Sequence, residues 1–407
     1  MNNKKALIIS DFDSRISWCS GFAARLKYLN FHNTFVAMND EDNLSERSIS
    51  KNIHEFNYIK SFRDLKYLFS EEYSLVVLMV GGGMYLKVCE IFRTYYEDKL
   101  VRPIIISGFN GIEDTSDPQG ILIRSVSDYI CINSATFMEY SNSLFRRYSL
   151  DSKLVRTGFI RDYWDIESHK KSLNIDKIML VLQPGILDHP KQLKYLGDKI
   201  KKYHEYHPDR EIVIKARGRK NVSHVNSHVE KDFYMDFWHE LASNLGPKVN
   251  ISYDEIEIIL NKVDAVVSFT SAVFIEAIIL NKRVAALSDY GISKNIGNLF
   301  LMNSEFLVSF DNILRDEFPD VDSKWKLDWC FYEHRQLDEL IKKVYREYKL
   351  QSTKGKLPFV NGFYNELDHP YLFLFKNESV DKNLVSTSIF SNFRKKIECF
   401  KPIKWRQ

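Results

Sequence analysis

Four acidic residues in the first third of the chain stand where a catalytic base could lie. Two follow the first apolar run of the sequence, KALIIS, and two lie in a glycine-containing loop after a later run, RPIIIS. A carboxylate in such a place can take the proton of a hydroxyl group during a group transfer. In order of preference, the candidates are Asp13, Asp11, Glu113 and Asp114. The structural alternative is that Asp13 or Ser14 only caps the following helix.

A second set of residues, in the later half of the chain, is suited to binding phosphate. Lys215 and Arg217 follow the apolar run Glu211–Ile214, and cationic side chains, arginine above all, pair with phosphate oxygens. The turn Ser268–Ser271 leads into a helix that begins near Ala272, so its hydroxyls and the N–H groups behind them could bind the same phosphate. The alternative is an ordinary β-α-β unit in which a Ser or Thr only caps the helix.

Three further residues belong to the same predicted site. Glu276 lies inside an otherwise apolar helix, where it could face a ribose or a base, or could be a buried carboxylate satisfied by a Lys or Tyr. Gln183 and Gly185 stand in the turn after the strand Lys177–Leu182. The complete set for this side of the site is Lys215, Arg217, Ser268, Thr270, Ser271, Glu276, Gln183 and Gly185.

Both sets of residues are positioned by a strand-turn-helix pattern that repeats along the chain. Short β-branched runs such as Leu75–Val80 have the composition of buried parallel strands, whose carboxyl ends meet at one edge of a sheet. The pattern begins at Lys5 and starts again at Lys177, after the polar segment Tyr163–Asn174. We therefore predict an α/β fold with two doubly wound, Rossmann-like domains facing each other across a cleft. The predicted units are residues 1–165, residues 175–345 and a C-terminal extension, residues 346–407.

Several functional classes are excluded by composition and motif. A formal net charge of +3 is too small to indicate a nucleic-acid partner. The five cysteines are widely spaced without metal-ligand spacing, which is typical of reduced thiols in a cytosolic protein. The longest apolar runs are well short of the roughly 20 residues that span a bilayer. The glycines at 81–83 do not form a GxGxxG fingerprint and predict a tight turn.

The C-terminal segment Phe393–Arg406 differs from the rest of the chain. It mixes lysine and arginine with phenylalanine, isoleucine and tryptophan. That mixture is suited to the surface of an anionic membrane, and the alternative is a solvated tail. The sequence therefore predicts a cytoplasmic protein that could touch the inner face of the membrane.

The order of these motifs resembles a known family. The chain carries D-x-D-S after its first strand, then RPIIISGFNGI, SDYICINSATFMEY and TGFIRD, and finally the hydroxyl-rich turn of the second half. Over most of residues 4 to 290 it resembles an uncharacterised bacterial family of predicted glycosyltransferases from surface-polysaccharide loci. More broadly it is similar to GT-B enzymes that use CMP-activated sialic or other nonulosonic acids.

The resemblance to CMP-sugar enzymes has two points of departure. Their K-P-H-P segment corresponds here to Lys215-Ala216-Arg217-Gly218, which lacks the His-Pro dipeptide. Their acidic loop, which ends in glycine, corresponds to Glu113-Asp114, which lacks that glycine. The family of glycosyltransferases is therefore better supported than the identity of the nucleotide.

The resemblance implies an inverting glycosyltransferase that needs no metal ion or cofactor beyond its nucleotide-sugar substrate. The implied donor is a CMP-linked nonulosonic acid and the implied acceptor is a glycan or glycolipid. Arg15 and His189 are weaker candidates for contact with a substrate carboxylate. Three alternatives remain open: a UDP-sugar transferase, a CDP-glycerol-type transferase, and a non-catalytic partner in polysaccharide assembly.

Overall fold

The polypeptide forms two parallel β-sheets, each covered by helices on both faces. The computed structural model describes residues 4–11, 13–38, 53–59, 61–113, 115, 117–161, 174–183, 190–216 and 232–360. Apolar residues fill both faces of each sheet, and they form separate cores above and below it. None of the helices in these ranges is both long and apolar enough to cross a lipid bilayer.

The first sheet has seven strands in the order β3-β2-β1-β4-β5-β6-β7, all paired in parallel. Its strands are β1 (Lys5–Ser10), β2 (His32–Ala37), β3 (Glu55–Tyr58), β4 (Leu75–Met79), β5 (Ile104–Ser107), β6 (Tyr129–Ile132) and β7 (Lys153–Arg156). The helices of this half are α1 (Asp13–Tyr28), α2 (Phe62–Leu68), α3 (Gly82–Tyr96), α4 (Gln119–Arg124) and α5 (Ala135–Tyr148). Strands covered on both faces are continuously apolar, as in the fully buried run Ala6–Ile9 of β1.

The second sheet has six parallel strands in the order β10-β9-β8-β11-β12-β13. Its strands are β8 (Lys177–Val181), β9 (Glu211–Lys215), β10 (Val249–Ser252), β11 (Ala265–Ser268), β12 (Arg283–Leu287) and β13 (Leu307–Val308). The helices that follow are α6 (Pro190–Tyr206), α7 (Asp232–Leu245), α8 (Ile256–Leu260), α9 (Val273–Ile279), α10 (Phe310–Leu314), α11 (Ser323–Trp329) and α12 (His334–Lys354), with a 3-10 turn at Leu299–Leu301.

In both sheets the strand order reverses beside the first strand of the half. The reversal falls between β1 and β4 in the first sheet, and between β8 and β11 in the second. At such a switch point the loops leave the sheet in opposite directions, which opens a crevice at the carboxyl ends of the strands. The two-domain α/β fold predicted from the sequence is confirmed.

Some short elements were not predicted from the sequence. Strands β3 and β10 lie at the outer edges of the two sheets, and both alternate apolar with polar residues. An edge strand packs on fewer neighbours, so its sequence lacks the continuous apolar run that marked the central strands. The run RPIIIS, residues 102–107, was predicted as a strand over its whole length, and the strand begins only at Ile104, because Pro103 has no N–H for the ladder.

The chain crosses between the domains twice, and the two crossings lie side by side. The backbone of Gly158, on the first crossing, forms an antiparallel bridge with Tyr332 on the second. Beyond that bridge, α12 returns to the first domain, where Leu337, Leu340 and Val344 join the core beneath α1. The predicted unit 175–345 therefore contains the start of a helix that packs on the first sheet.

The described start of the predicted C-terminal extension also packs on the first domain. The buried guanidinium of Arg102 donates to the carbonyls of Leu357 and Pro358, at 3.3 and 2.8 Å, and forms an ion pair with Asp128. The side-chain amide of Gln351 accepts a hydrogen bond from the backbone N–H of Arg102 and donates one to its carbonyl. The basic-aromatic segment at 393–406 lies outside the described residues, as does the predicted boundary Tyr163–Asn174 except for Asn174.

The variant Gly158→Ala is expected to lower the free energy of unfolding by about 2 kcal/mol or more. Gly158 has φ +70°, and an added Cβ would overlap the carbonyl oxygen of Phe331 on the other crossing. The matched control is Gly83→Ala in the first turn of α3, where an added Cβ meets no atom within 4 Å. Urea unfolding would measure both variants, and an equal effect of the two would contradict the packing argument.

Candidate functional site

The switch point of the first sheet is bridged by a buried carboxylate. Asp11 follows β1, and its Oδ2 accepts a hydrogen bond of 2.7 Å from the backbone N–H of Gly81, which follows β4. Arg15, one helical turn later, donates from Nη1 to both carboxylate oxygens, at 2.6 and 2.7 Å. These contacts favour a structural role for Asp11, and they give Arg15 a partner within the protein.

The switch point of the second sheet is bridged in the same way by an amide. Oε1 of Gln183, after β8, accepts a hydrogen bond of 2.9 Å from the backbone N–H of Thr270, after β11. The Thr270 hydroxyl donates to the carbonyl of Gly297 at 2.8 Å. The Ser271 hydroxyl accepts from the backbone N–H of Val273, in the first turn of α9, at 3.2 Å. Gln183, Thr270 and Ser271, three of the residues predicted to bind the donor, thus lie together at this crevice.

Two other residues of that predicted set are engaged inside the domain. Ser268 is fully buried, and its hydroxyl donates to the carbonyl of Val181 at 3.0 Å, which links β11 to β8. Lys215 is the last residue of β9, and its ammonium donates to the carbonyl of Ala216 at 2.5 Å. The structure therefore places Lys215 at the carboxyl edge of the sheet and turns the Ser268 hydroxyl into the sheet.

A buried ion pair joins the two domains beside these turns. Glu276 of α9 is 3% exposed and accepts hydrogen bonds from Nε and Nη2 of Arg161, at 3.2 and 3.0 Å. Arg161 also donates to the carbonyl of Asn110, in the loop after β5, at 3.1 Å. The sequence suggested Lys or Tyr as the structural partner of Glu276, and the partner is an arginine 115 residues earlier. The pair ties α9 to a crevice loop of the first domain.

A cavity of about 730 Å³ opens between the domains along the same loop. Its first-domain wall consists of Ile112, Glu113, Thr115 and Thr136. Its second-domain wall includes Gly297, the acceptor of the Thr270 hydroxyl, and the tryptophans of α11. The charged lining is mostly acidic: Glu113, Glu305, Asp322 and Asp328 against Lys294 and Lys324. Carboxylates accept hydrogen bonds from hydroxyls, so this cavity suits a neutral, hydroxyl-rich group better than a phosphate.

Of the candidate bases whose side chains the structure describes, Glu113 lines this cavity. Its carboxylate accepts hydrogen bonds from the backbone N–H groups of Asn133 and Ser134, at 2.6 and 3.0 Å, and from the Ser134 hydroxyl at 2.9 Å. Burial raises the pKa of Glu113 to about 8, because desolvation outweighs these hydrogen bonds, which lower it. The nearby charge of Asp328 raises the pKa further. A carboxyl that titrates near neutral pH is suited to general base catalysis.

The remaining candidates from the sequence lie outside the described side chains. Asp13 begins α1, so its backbone is placed at the carboxyl edge of the first sheet, beside Asp11. Asp114, Gly185, His189 and Arg217 are not among the described residues. Within the described ranges, no group of three or more His, Cys, Asp or Glu side chains is placed to hold a metal ion.

Sequence reasoning missed the residues that hold the walls of the cavity together. Asp328 accepts hydrogen bonds from the backbone N–H and the hydroxyl of Thr136, at 3.0 and 2.5 Å, so α11 is joined to the N-terminus of α5. Arg156 donates to the carbonyls of Leu327 and Asp328 at the end of α11, at 2.6 and 2.9 Å. Residues separated by so many positions give no local sequence signal of their contact.

Comparison with solved structures identifies the architecture. A UDP-GlcNAc 2-epimerase from Methanocaldococcus jannaschii has a TM-score of 0.55 at 15% identity, covering 84% of this chain and 99% of that one. The Neisseria meningitidis UDP-GlcNAc 2-epimerase bound to UDP-GlcNAc gives 0.52 at 14% identity, covering 84% and 100%. The pneumococcal O-GlcNAc transferase GtfA, in complex with UDP and GlcNAc, gives 0.53 at 8% identity, covering 86% and 100%. These similarities concern the fold, which is GT-B-like as predicted.

Comparison by sequence identifies the family. No curated protein sequence gave a significant match to the chain. A family profile described as "Putative glycosyltransferase (DUF6716)" matches residues 6–346, which include the strands of both sheets. The chain therefore belongs to this glycosyltransferase family.

Proposed function

We propose that the protein transfers a sugar from a nucleotide-sugar donor to a hydroxyl group of a glycan or glycolipid, with inversion at the anomeric carbon. The observation that carries this proposal is the pair of bridged switch points at the edges of two parallel sheets, with a large acidic cavity between the domains. The crevice at a switch point is where open α/β sheets bind ligands. The proposed reaction takes place in the cytoplasm, at the inner face of the membrane.

The proposed donor site is the crevice of the second sheet. The backbone N–H and the hydroxyl of Ser271 would bind the donor phosphate, with cationic help from Lys215 and Arg217, and the hydrogen bonds of Thr270 would hold the turn that presents them. Gln183 supports this turn through its hydrogen bond to the Thr270 N–H. We propose a CMP-linked nonulosonic acid as the donor, because the Lys215–Gly218 loop and the Ser268–Ser271 turn resemble the matching segments of enzymes that use such donors.

A UDP-sugar is the second candidate donor. Two proteins of the same fold were solved with UDP or a UDP-sugar bound, the meningococcal epimerase and the pneumococcal transferase. A UDP-sugar carries two phosphates, and it would use the same N–H groups and cationic loop. Because both donors would use the same phosphate site, the test that distinguishes them is which free nucleotide, CMP or UDP, binds the protein.

The proposed acceptor site is the interdomain cavity, with Glu113 as the base. In this reaction Glu113 takes the proton of the acceptor hydroxyl while that oxygen forms its bond to the anomeric carbon. The bond from the same carbon to the donor phosphate breaks, and its electron pair leaves on the nucleotide. The N–H groups and cations of the donor site would stabilise the negative charge that develops there. Asp13, the base preferred from the sequence, is tested beside Glu113.

Cytidine monophosphate is expected to raise the melting temperature by about 3 °C at a ligand concentration near 100 Kd, because it binds only the folded chain. UDP and GDP are expected to leave the melting temperature unchanged, and CDP tests the glycerol-phosphate alternative. The variant Thr270→Pro, which removes the N–H that Gln183 holds, should abolish the CMP shift. A shift with UDP and none with CMP would support the second donor, and no shift with any nucleotide would contradict both.

A non-catalytic role in polysaccharide assembly makes a different prediction. A protein that keeps the fold without the chemistry would support normal polymer production in cells after either Asp13→Asn or Glu113→Gln. Loss of product with a folded variant would refute the non-catalytic role. Normal polysaccharide production with both variants would show that neither residue is the catalytic base. That result would favour the non-catalytic role in polysaccharide assembly.

A further inference from the structure

The solvent face of α12 carries a continuous stripe of cations. Arg335, Lys342, Arg346 and Lys349 are all exposed, and they stand at positions i, i+7, i+11 and i+14 of the 21-residue helix. At about 100° per residue, this spacing keeps all four within roughly 60° of one another around the helix axis. Since each residue rises about 1.5 Å, the stripe is about 21 Å long.

The stripe and its neighbours carry a higher net charge than the whole chain. Lys343 and Lys354 are exposed beside it, and the one acid on this face is Glu339, which pairs with Lys342 at 2.9 Å. The hydrogen bond from Lys342 and its charge lower the pKa of Glu339, and the charges of Arg346 and Arg335 lower it further. Six cations against one carboxylate exceed the formal net charge of +3 of the whole chain, so the remaining residues are net negative.

The other acids of α12 are turned towards the protein. Asp338 accepts two hydrogen bonds from the guanidinium of Arg25 in α1, at 2.9 and 2.6 Å. Glu347 accepts from the Tyr129 hydroxyl at 2.6 Å and pairs with Lys153. Because these contacts hold the helix against the first sheet, its basic face is fixed in direction.

We propose that this face of α12 docks on the surface of an anionic lipid bilayer. Lys and Arg near an anionic membrane each add to binding within a Debye length of the surface, so a stripe of fixed cations on a net negative body also orients the molecule. Leu350 adds an apolar contact beside the stripe, since this side chain is 43% exposed. This inference does not rest on the proposed glycosyl transfer.

Vesicle co-sedimentation of the full chain tests the proposal. Binding is expected to vesicles of phosphatidylcholine with about one-quarter phosphatidylglycerol, to be absent with phosphatidylcholine alone, and to fall with added salt. The variant R335Q/K342Q/R346Q/K349Q should weaken this binding by at least about tenfold. The matched control is K191Q/K194Q/K201Q/K202Q on α6, which removes four exposed cations from the second domain and should change binding by less than about twofold.

Three results would overturn the proposal. The first is equal loss of binding with the α6 control, which would indicate an effect of net charge alone. The second is unchanged binding by the α12 variant together with complete loss in R394Q/K395Q/K396Q, which would assign the membrane contact to the C-terminal segment. The third is tighter binding to duplex DNA than to the anionic vesicles. Equal melting temperatures of all variants would show that each one is folded.

Discussion

The variant Glu113→Gln is expected to lower kcat by about 100- to 10,000-fold, the usual contribution of a general base. Glutamine keeps the size of the side chain and can still accept hydrogen bonds from the start of α5, but it cannot take a proton. Glu113 lines the cavity between the domains, and burial raises its pKa to about 8. The measurement is the rate of sugar transfer with the donor identified by thermal shift.

The pH dependence of the wild type distinguishes a base from a merely structural carboxyl. A base must be ionised, so the rate should rise with pH and level off above about 8, where Glu113 has lost its proton. In the Glu113→Gln variant the residual rate should lack this rising limb. Asp13→Asn is the companion variant. If Asp13→Asn abolishes sugar transfer, while Glu113→Gln keeps both the transfer rate and its rise with pH, the base is Asp13 and the assignment to Glu113 is wrong.

The same pKa has a consequence for stability. Between about 4.5, the ordinary pKa, and about 8, folded Glu113 keeps a proton that the unfolded chain has lost. The folded state therefore binds more protons, and its free energy of unfolding falls as pH rises through this range. Urea unfolding at several pH values should show this decline in the wild type and a smaller one in Glu113→Gln. A decline of equal size in both proteins would contradict the raised pKa.

The variant Arg161→Met is expected to lower the free energy of unfolding by about 3–5 kcal/mol. It leaves the carboxylate of Glu276 buried without its guanidinium partner, and it removes the hydrogen bond to the Asn110 carbonyl. Both losses fall at the contact between the domains, so the domains should also separate more readily. Urea unfolding measures the first effect, and proteolysis near the crossing at Gly158 measures the second.

Two controls separate the buried ion pair from a general loss of charge. The double variant Arg161→Met/Glu276→Leu removes both charges, so it should be more stable than Arg161→Met alone. The exposed pair of Arg315 and Glu317 provides the matched surface case, and Arg315→Met should leave stability almost unchanged. If the double variant is as unstable as the single one, the loss comes from packing and not from an unpaired buried charge.

The sequence by itself determined the fold and the edge of each sheet at which a site would form. Central strands such as β4 and β11 are short apolar runs buried on both faces, so their positions are visible from composition alone. Polar residues follow such strands, as Asp11 follows β1 and Thr270 comes two residues after β11, and parallel pairing brings the carboxyl ends together. These inferences use only neighbouring residues, which is why they could be made without coordinates.

Only the tertiary structure showed which protein groups those polar residues contact and which of them line the cavity. The sequence could not place Glu113 in the wall of the cavity, because its burial at the start of α5 depends on how distant elements pack. It also could not find the partner of Glu276, which lies 115 residues away. Contacts over such separations depend on the packing of whole elements, and local periodicity carries no record of them. Local sequence pattern therefore determines where the helices and strands of this protein lie along the chain. Packing between distant elements determines the surroundings of the candidate site residues.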